Sequence, residues 1–341
     1  MLRVGLIGCG AIGRAHAQSY QALHQLARVV VCCDEREAAA SEAAQGIAGA
    51  TVAADWRSVI ERDDVDAVDI CMPHHLHAPI VFGAAEAGKH ILLEKPMAMN
   101  LAEARAMVEA SDRAGRTLMV AQNQRFLDHH VRVKALLDDG VIGRVFAVRT
   151  DGNQFLSRMY PVGHWLYHKA TAGGGITRTV AIHKIDLLRY FFGEIRRVAC
   201  FQSITGLNPG MDCDDVATFL LEFESGVVGE GFFTFAAHKA PIPAASYEFF
   251  AIYGEKGLIH NVQNWYVYST DVAKYSGGLT RLDWGPPDYS GSITEEIRHF
   301  LECAQTGAEP LTSGRDNLKT MAVVDALYQS AETRQVVEVA S

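Results

Sequence analysis

The feature that most constrains the fold is a glycine pattern near the start of the chain. The strand-like residues LRVGLI are followed by GCGAIG at 8–13, and a helix-like pattern comes next. In this strand–turn–helix context, Gly8 permits a tight turn, Gly10 lets the backbone approach a pyrophosphate, and Gly13 lets helix and strand pack closely. The start of the helix adds N–H groups and a partial positive charge. The pattern therefore predicts a dinucleotide-binding βαβ unit.

An acidic residue follows the second strand-like run. Arg28–Cys33 ends in Asp34, about 20 residues after the last glycine of the pattern. A carboxylate at that place accepts hydrogen bonds from the adenosine ribose hydroxyls and repels a 2′-phosphate. NAD is therefore predicted as the cofactor, and NADP is disfavoured. Arg36 lies close enough to soften this preference. The alternative for Asp34 is a cap on the next helix.

Strand-like and helix-like segments alternate up to residue 123. Strands are predicted at 65–73, 90–96 and 116–123, with a helix at 79–87, and Asn100 with Glu103 resembles a capping box. Alternation of this kind predicts a parallel sheet whose ligands gather at the carboxyl ends of its strands. The candidate cofactor-binding residues at those ends are Gly8, Gly10, Ala11, Ile12, Gly13, Asp34, Arg36, Met72, Pro73, His77, Glu94, Lys95 and Asn123.

Composition narrows the class of protein. The 341 residues suit two domains, with 49% hydrophobic and 21% charged residues, as in an ordinary globular protein. A formal charge of −9 argues against nucleic acid or an anionic membrane as the main partner. The seven cysteines form no CxxC pair, Met1 leads directly into the first strand, and no apolar run approaches ~18 residues. We therefore expect a cytoplasmic protein with no membrane partner. The histidines at 74–77 lack an acid or cysteine partner nearby, so no metal site is predicted.

Two further stretches bear chemistry. Lys95 follows an apolar strand and precedes a proline, so it is expected to point into a cleft, because burying its charge is costly; the alternative is a surface lysine. GGGITRTVAIHKID at 173–186 is helix-like after its glycines. In a helix, Thr179, His183 and Asp186 fall at i, i+4 and i+7 and share one face.

Together these stretches resemble the glucose–fructose oxidoreductase, inositol dehydrogenase and rhizopine-catabolism family (Gfo/Idh/MocA). The motifs that carry the resemblance are GLIGCGAIGRAHA at 5–17, MPHHLHAPI at 72–80, GKHILLEKPMAMN at 88–100, QNQRF at 122–126, GGGITRTVAIHKIDLLRYFFG at 173–193 and TSGRDNLKTMAVVDALYQSA at 312–331. The resemblance implies an α/β Rossmann dinucleotide-binding domain (1–123) plus an α+β domain with a large, mostly antiparallel open sheet (124–341). It also implies a homodimer or homotetramer formed through that sheet.

The second domain is visible without the resemblance. Strand-like segments lie at 146–150, 196–204, 215–223, 227–237 and 247–254, with a hairpin connection at 224–226. Ala217, Phe219, Leu221 and Phe223 form an apolar face of period two. Helices are expected at about 293–306 and 314–332, where Ser292 with Glu295 resembles a capping box; these helices could pack back on the first domain.

The resemblance also implies roles in hydride transfer between NAD and a secondary alcohol of a sugar, inositol or sugar derivative. Lys95 matches the catalytic lysine, Glu94 and Pro96 match residues that shape the nicotinamide pocket, and His183 matches the active-site histidine. The family commonly has aspartate four residues before that histidine, where this chain has Thr179. Since threonine supplies no charge, either Lys95 has a lower pKa than in such relatives or Asp186 partly substitutes. The alternatives are an exposed or capping Asp186 and a core His183.

Other candidates for substrate binding are weaker. Asn153, Tyr160 and Trp165 lie in a polar and aromatic stretch that suits hydrogen bonding and stacking on a polyol. Arg125 is expected either to bind substrate or to position neighbouring elements. Two alternative functions stay open: an NAD-dependent glycosidase that acts by transient oxidation and elimination, and a non-catalytic NAD-binding regulator.

Overall fold

The computed structural model describes residues 1–237 and 248–340. The chain forms two compact units, each made of two stretches of chain. Unit 1 comprises Met1–Leu127 and Asp288–Met321, and unit 2 comprises Asp128–Pro287 and Ala322–Ser341. Within the described ranges, no helix combines the length and apolar character that a bilayer crossing needs.

Unit 1 is built on a six-stranded parallel sheet of order β3-β2-β1-β4-β5-β6. Its strands are β1 (Leu2–Ile7), β2 (Ala27–Cys33), β3 (Thr51–Ala53), β4 (Ala67–Ile70), β5 (His90–Glu94) and β6 (Leu118–Ala121). Its helices are α1 (Ala11–Ala22), α2 (Glu37–Ala44), α3 (Trp56–Ile60), α4 (His77–Glu86), α5 (Leu101–Arg113) and, from the second stretch, α10 (Tyr289–Thr306). The predicted parallel sheet is confirmed.

The core of unit 1 lies between the sheet and its helices. Val4 and Leu6 of β1 share one apolar cluster with Ile297, Phe300 and Leu301 of α10, and all five are fully buried. Because α10 packs against α1, it completes this core from the far end of the chain.

Two predicted helix starts have different outcomes. Asn100 accepts a hydrogen bond from the Glu103 N–H at 2.9 Å, and the Glu103 carboxylate accepts one from the N–H of Met99 at 2.7 Å. The predicted capping box of Asn100 and Glu103 is therefore confirmed. The Glu103 carboxylate, however, binds the N–H of Met99, one residue before the N-cap. The Ser292–Glu295 box is wrong, since α10 begins at Tyr289 and Asp288 caps it by accepting the N–H of Gly291 at 2.8 Å.

Unit 2 is built on a nine-stranded sheet of order β14-β13-β12-β11-β7-β10-β9-β8-β15. Every neighbouring pair is antiparallel except β7 with β10, so the predicted mostly antiparallel sheet is confirmed. Residue 247 of the last predicted strand lies outside the described residues. The strands are β7 (Val145–Asn153), β8 (Ile195–Ser203), β9 (Val216–Phe223), β10 (Val228–Thr234), β11 (Glu248–Gly254), β12 (Gly257–His260), β13 (Tyr266–Ser269), β14 (Thr280–Arg281) and β15 (Val337–Glu338).

One face of this sheet is covered and the other carries exposed apolar side chains. The predicted apolar face of β9, including Phe219 and Phe223, is buried. The helices of unit 2 are α6 (Asp128–Asp138), α7 (Leu156–Met159), α8 (Lys169–Ala172) and α9 (Ile182–Phe192), and α11 (Gly314–Thr333) spans the point where unit 1 ends and unit 2 resumes.

Candidate functional site

The glycine loop between β1 and α1 is shaped by contacts that no side chain would allow. Gly8 has φ +92°, and a Cβ added there would lie 2.3 Å from the Cys71 carbonyl oxygen. A Cβ on Gly13 would lie 2.0 Å from the carbonyl oxygen of Gly8, so helix and loop touch backbone to backbone. Gly10 differs, because a Cβ there would meet no atom within 4 Å.

The open space at Gly10 lies at the start of α1. Gly10 is the N-cap of this helix, no side chain caps it, and its first turn has no acidic residue. The first N–H groups of a helix have no partner inside the helix and favour an anion. The loop therefore fits the pyrophosphate of a dinucleotide, with Ala11 and Ile12 supplying backbone N–H groups in the first turn.

Gly10→Ala tests this fit. We expect unchanged thermal unfolding, because the methyl group meets no protein atom, and weaker NAD binding, because it enters the space for the pyrophosphate. A steric cost of about 1–3 kcal/mol would raise the Kd for NAD by roughly 5- to 150-fold. Titration calorimetry and thermal melts measure the two effects. Gly13→Ala is the contrast, since it should lower stability even without NAD, and an unchanged Kd in Gly10→Ala would contradict the fit.

Asp34 follows β2 and is tied to the glycine loop. Its carboxylate accepts hydrogen bonds from the N–H of Cys9 at 2.9 Å and from the N–H of Arg36 at 3.0 Å. Burial works against its charge, but these donors and the Arg36 guanidinium outweigh it and hold the pKa of Asp34 below its usual value. The alternative of a helix cap is wrong, because α2 begins at Glu37 with no side-chain cap. The carboxylate is thus fixed and charged at the end of its strand.

The loops after β4 and β5 are joined by His77. Its Nδ1 lies 2.9 Å from the carbonyl oxygen of Pro96, and its Nε2 lies 2.8 Å from that of Met72. The ring is fully buried, and burial lowers the pKa of His77. His77 thus fixes the segments that carry Pro73 and Lys95. Its predicted contact with cofactor stays a prediction.

Lys95 directly follows β5. Its backbone N–H donates to the Glu94 carboxylate at 3.0 Å. Burial lowers the pKa of Lys95, while the negative charge of Glu94 opposes that shift. An amine with a lowered pKa is more often neutral near pH 7, and only the neutral amine accepts a proton.

In unit 2, the three glycines at 173–175 are explained by a left-handed backbone at the first and by close approaches at the other two. Gly173 ends α8 with φ +76°. A Cβ on Gly174 would lie 2.0 Å from the Tyr328 hydroxyl oxygen, and one on Gly175 would lie 1.7 Å from the Asp214 carbonyl oxygen. The glycines therefore let the chain pass against Tyr328 and Asp214 before the next helix begins.

Asp214 anchors the start of that helix. Its carboxylate accepts hydrogen bonds from the N–H of Gly175 at 2.7 Å, from the N–H and hydroxyl of Thr177 at 3.0 and 2.7 Å, and from the Tyr328 hydroxyl at 2.8 Å. Sequence reasoning missed this residue, because nothing in the pattern around 214 points to a segment nearly 40 residues earlier.

The segment that carries Thr179 is not the regular α-helix that the sequence predicted. Residues Thr177–Ala181 form a π turn, and α9 begins only at Ile182. The Thr179 hydroxyl donates to the Gly175 carbonyl oxygen at 2.8 Å, one turn back. Single π turns inside helices occur often at functional sites, where they re-aim side chains. Thr179 therefore helps to hold the geometry of the turn.

His183 and Asp186 differ in accessibility. His183 is partly exposed while its Nδ1 is buried, and its role as the active-site histidine stays a prediction. Asp186 is fully buried and lies 3.9 Å from the Arg189 guanidinium, so the alternative of an exposed carboxylate is wrong. α9 thus carries a partly exposed His183, while Asp186 lies inside unit 2.

The remaining candidates lie in both units. In unit 1, Arg125 is buried and donates to Leu311 and to the Asp316 carboxylate, which supports the positioning alternative, and Asn123 donates to Ser292. In unit 2, Tyr160 stacks on His164 at a centroid distance of 4.4 Å, His164 lies beside Trp165, and Asn153 ends β7.

Comparison with known families settles the class of protein. A family model described as "Oxidoreductase family, NAD-binding Rossmann fold" matches residues 2–122, and a second, "Oxidoreductase family, C-terminal alpha/beta domain", matches residues 134–339. The chain belongs to the Gfo/Idh/MocA oxidoreductase family. Its first domain is an NAD-binding Rossmann domain, as the glycine loop predicts.

Relatives within this family match over nearly their whole length. A D-apiose dehydrogenase of Paraburkholderia graminis is 32% identical, covering 98% of this chain and 89% of the relative. An inositol 2-dehydrogenase of Rhizobium meliloti is 31% identical, covering 98% of both. A levoglucosan dehydrogenase solved with NADH and levoglucosan is 29% identical, with a TM-score of 0.90 and full coverage of both chains.

Proposed function

We propose that this family member transfers a hydride between NAD and a secondary alcohol of a sugar, inositol or sugar derivative. The observation that carries the proposal is Lys95: a lysine of lowered pKa follows the β5 strand of an NAD-binding sheet. The relatives act on D-apiose, inositol and levoglucosan, which are all polyhydroxylated.

Each residue has a defined task in this mechanism. NAD, when bound, supplies the hydride acceptor. The glycine loop binds the pyrophosphate, and the Asp34 carboxylate accepts hydrogen bonds from the ribose hydroxyls. Lys95 removes the proton from the reacting hydroxyl in oxidation and returns it in reduction. His183, a partly exposed residue of unit 2, takes the role of the active-site histidine that the family resemblance implies.

Further residues of unit 2 are proposed to bind the sugar. Tyr160, Trp165 and Asn153 suit stacking and hydrogen bonding on a sugar ring. Thr179 supports the π turn and supplies no carboxylate at the position where the family commonly has aspartate. Asp186 is fully buried, so we expect it to stabilise α9 and not to contact the substrate.

A spectrophotometric screen tests the function. Reduction of NAD and of NADP at 340 nm is followed with inositols, aldoses, anhydrosugars and sugar acids. We expect stoichiometric NADH with at least one polyol and a preference for NAD, because the charged Asp34 repels a 2′-phosphate. Product release without net NADH would indicate a glycosidase, and NAD binding without turnover on any polyol would indicate a regulator. Clear preference for NADP would overturn the role of Asp34.

We propose further that the chain forms a homodimer or homotetramer through the open face of the nine-stranded sheet. Phe201, Leu220, Val228 and Phe232 are 40–76% exposed on that face, and a group of exposed large apolar side chains supports an interface there. Sedimentation velocity should show an assembly that Leu220→Lys dissociates. Leu279→Lys, at an exposed leucine in another part of unit 2, is the control. A monomeric wild type would contradict the proposal.

The cysteines support a cytoplasmic location for this protein. All seven are free and buried, as expected of a chain that works in a reducing compartment. We propose the cytoplasm on this ground.

A further inference from the structure

Unit 1 buries a cluster of six polar side chains that includes Glu94. The members come from α1, from β4 and the residue after it, from β5 and from α10, and none of their side chains is more than 12% exposed. They are His16, Tyr20, Asp69, Cys71, Glu94 and Glu296. Burying so many ionisable groups is costly unless their charges compensate one another.

Three of these groups form a line that ends at Lys95. His16 Nδ1 lies 2.9 Å from the Asp69 carboxylate, and on the other side of the ring Nε2 lies 3.4 Å from the Glu94 carboxylate. Glu94 in turn accepts the backbone N–H of Lys95. With His16 protonated, charge alternates along the line from Asp69 through His16 to Glu94, the neighbour of Lys95 in the chain.

The surroundings favour that charged state of His16. Burial opposes an imidazolium, but interactions led by the Asp69 carboxylate at 2.9 Å outweigh it and raise the pKa of His16 well above its usual value. Burial likewise opposes a charged Glu94, but His16 and Lys95 outweigh it and lower the pKa of Glu94. His16 therefore supplies the cation that keeps Glu94 ionised.

Glu296 completes the balance. Both of its carboxyl oxygens are buried without a hydrogen-bond partner among the described residues. Burial and the Glu94 and Asp69 carboxylates raise the pKa of Glu296 well above its usual value, although the charge of His16 opposes that shift. This direction favours a protonated Glu296, which adds no third negative charge beside His16. Tyr20, whose pKa burial raises, is neutral as well.

We propose that Asp69, His16 and Glu94 form a buried ion chain through which His16 acts as a positioning residue for Lys95, keeping the Glu94 carboxylate charged beside it. The role rests on the proposed function only in calling Lys95 catalytic. Without the His16 cation, Glu94 takes up a proton and Lys95 loses the negative charge that opposes its loss of a proton. The pKa of Lys95 then falls further.

A metal ion is the competing explanation for part of the cluster. His16, Asp69 and Cys71 each offer one ligand atom, and these atoms lie within 4.8 Å of one another. In the described chain, however, the His16 nitrogen and Asp69 oxygen are already at direct hydrogen-bond distance. A proton, not a metal ion, therefore joins the His16 nitrogen and the Asp69 oxygen.

The test measures the Lys95 pKa without using activity. The rate of trace acetylation by acetic anhydride is followed against pH by mass spectrometry, with the exposed Lys274 as internal reference. We expect His16→Gln to lower the midpoint for Lys95 by about 1 unit or more, as for loss of a nearby opposite charge. Glu296→Gln should leave it unchanged, because the amide imitates a neutral acid. An unchanged midpoint in His16→Gln, or stoichiometric zinc binding that this variant loses, would overturn the proposal.

A second measurement covers the case in which His16→Gln does not fold. Imidazole nitrogen shifts in the wild-type protein report the charge of His16 directly, and a neutral ring at pH 7 would overturn the ion chain. The outcomes also separate this proposal from the proposed function. A shifted Lys95 midpoint with no turnover of any polyol would refute only the function, whereas an active dehydrogenase with an unshifted midpoint would refute only the ion chain.

Discussion

Lys95→Met is expected to lower kcat by about 10²- to 10⁴-fold, a loss much larger than any change in NAD affinity. The side chain follows β5, and burial lowers its pKa, so it is suited to accept the substrate proton. Methionine keeps the length and apolar stem of lysine but cannot carry a proton. Steady-state rates with the substrate found by screening measure the loss, and calorimetry measures NAD binding.

The pH dependence sharpens this test. A base must be unprotonated, so wild-type kcat/KM should fall as pH drops through the pKa of Lys95, and the lowered pKa places that fall below the usual range for lysine. Lys95→Met should lose this limb of the profile. Lys274→Met, at an exposed lysine of unit 2, is the control for removing an ammonium group. Near-native turnover in Lys95→Met would refute the proton-transfer role.

Gly175→Ala is expected to destabilise unit 2 by about 1–3 kcal/mol or more. The added Cβ would lie 1.7 Å from the Asp214 carbonyl oxygen, so backbone must move. That movement pulls the N–H groups of Gly175 and Thr177 away from the Asp214 carboxylate, which anchors the π turn. Thermal or urea unfolding measures the loss of stability, and kcat should fall with it because His183 follows the turn.

The matched control is Gly277→Ala. A Cβ at Gly277 would meet no atom within 4 Å, and its φ is not in the left-handed region. The same substitution should there leave unfolding within about 0.5 kcal/mol of the wild type. Equal stability of the two variants would show that the contact between residues 175 and 214 is not required.

Local rules explain which parts of the fold were predictable. Gly13 is required by its contact with Gly8, five residues away, and Gly8 by its left-handed backbone. Their spacing in the sequence is therefore enough to predict the loop. The alternation of strands and helices in unit 1 and the period-two face of β9 follow from burial in the same local way. The Ser292 box failed because Asp288, one turn earlier, is an equally good cap and the sequence does not rank the two.

The parts that could not be predicted depend on contacts between distant residues. The π turn at Thr177–Ala181 is held by Asp214 and Tyr328, and hydrophobic periodicity cannot distinguish it from the first turn of α9. The ion chain joins His16, Asp69 and Glu94, which belong to three elements with no shared motif. The predicted roles of Lys95 and His183 came from resemblance, and the structure adds to them the surroundings of each.

The composition of unit 1 from two stretches of chain has a consequence during synthesis. The residues of α10 that complete its core leave the ribosome roughly 10–35 s after Leu127, at about 5–20 residues per second. Throughout that interval, α1 and the adjoining sheet lack the apolar cover that Ile297, Phe300 and Leu301 later provide. The nucleotide-binding unit is therefore the first to be synthesised in part and among the last to be completed. Until α10 is made, the apolar side chains that it later covers are exposed and can cause aggregation.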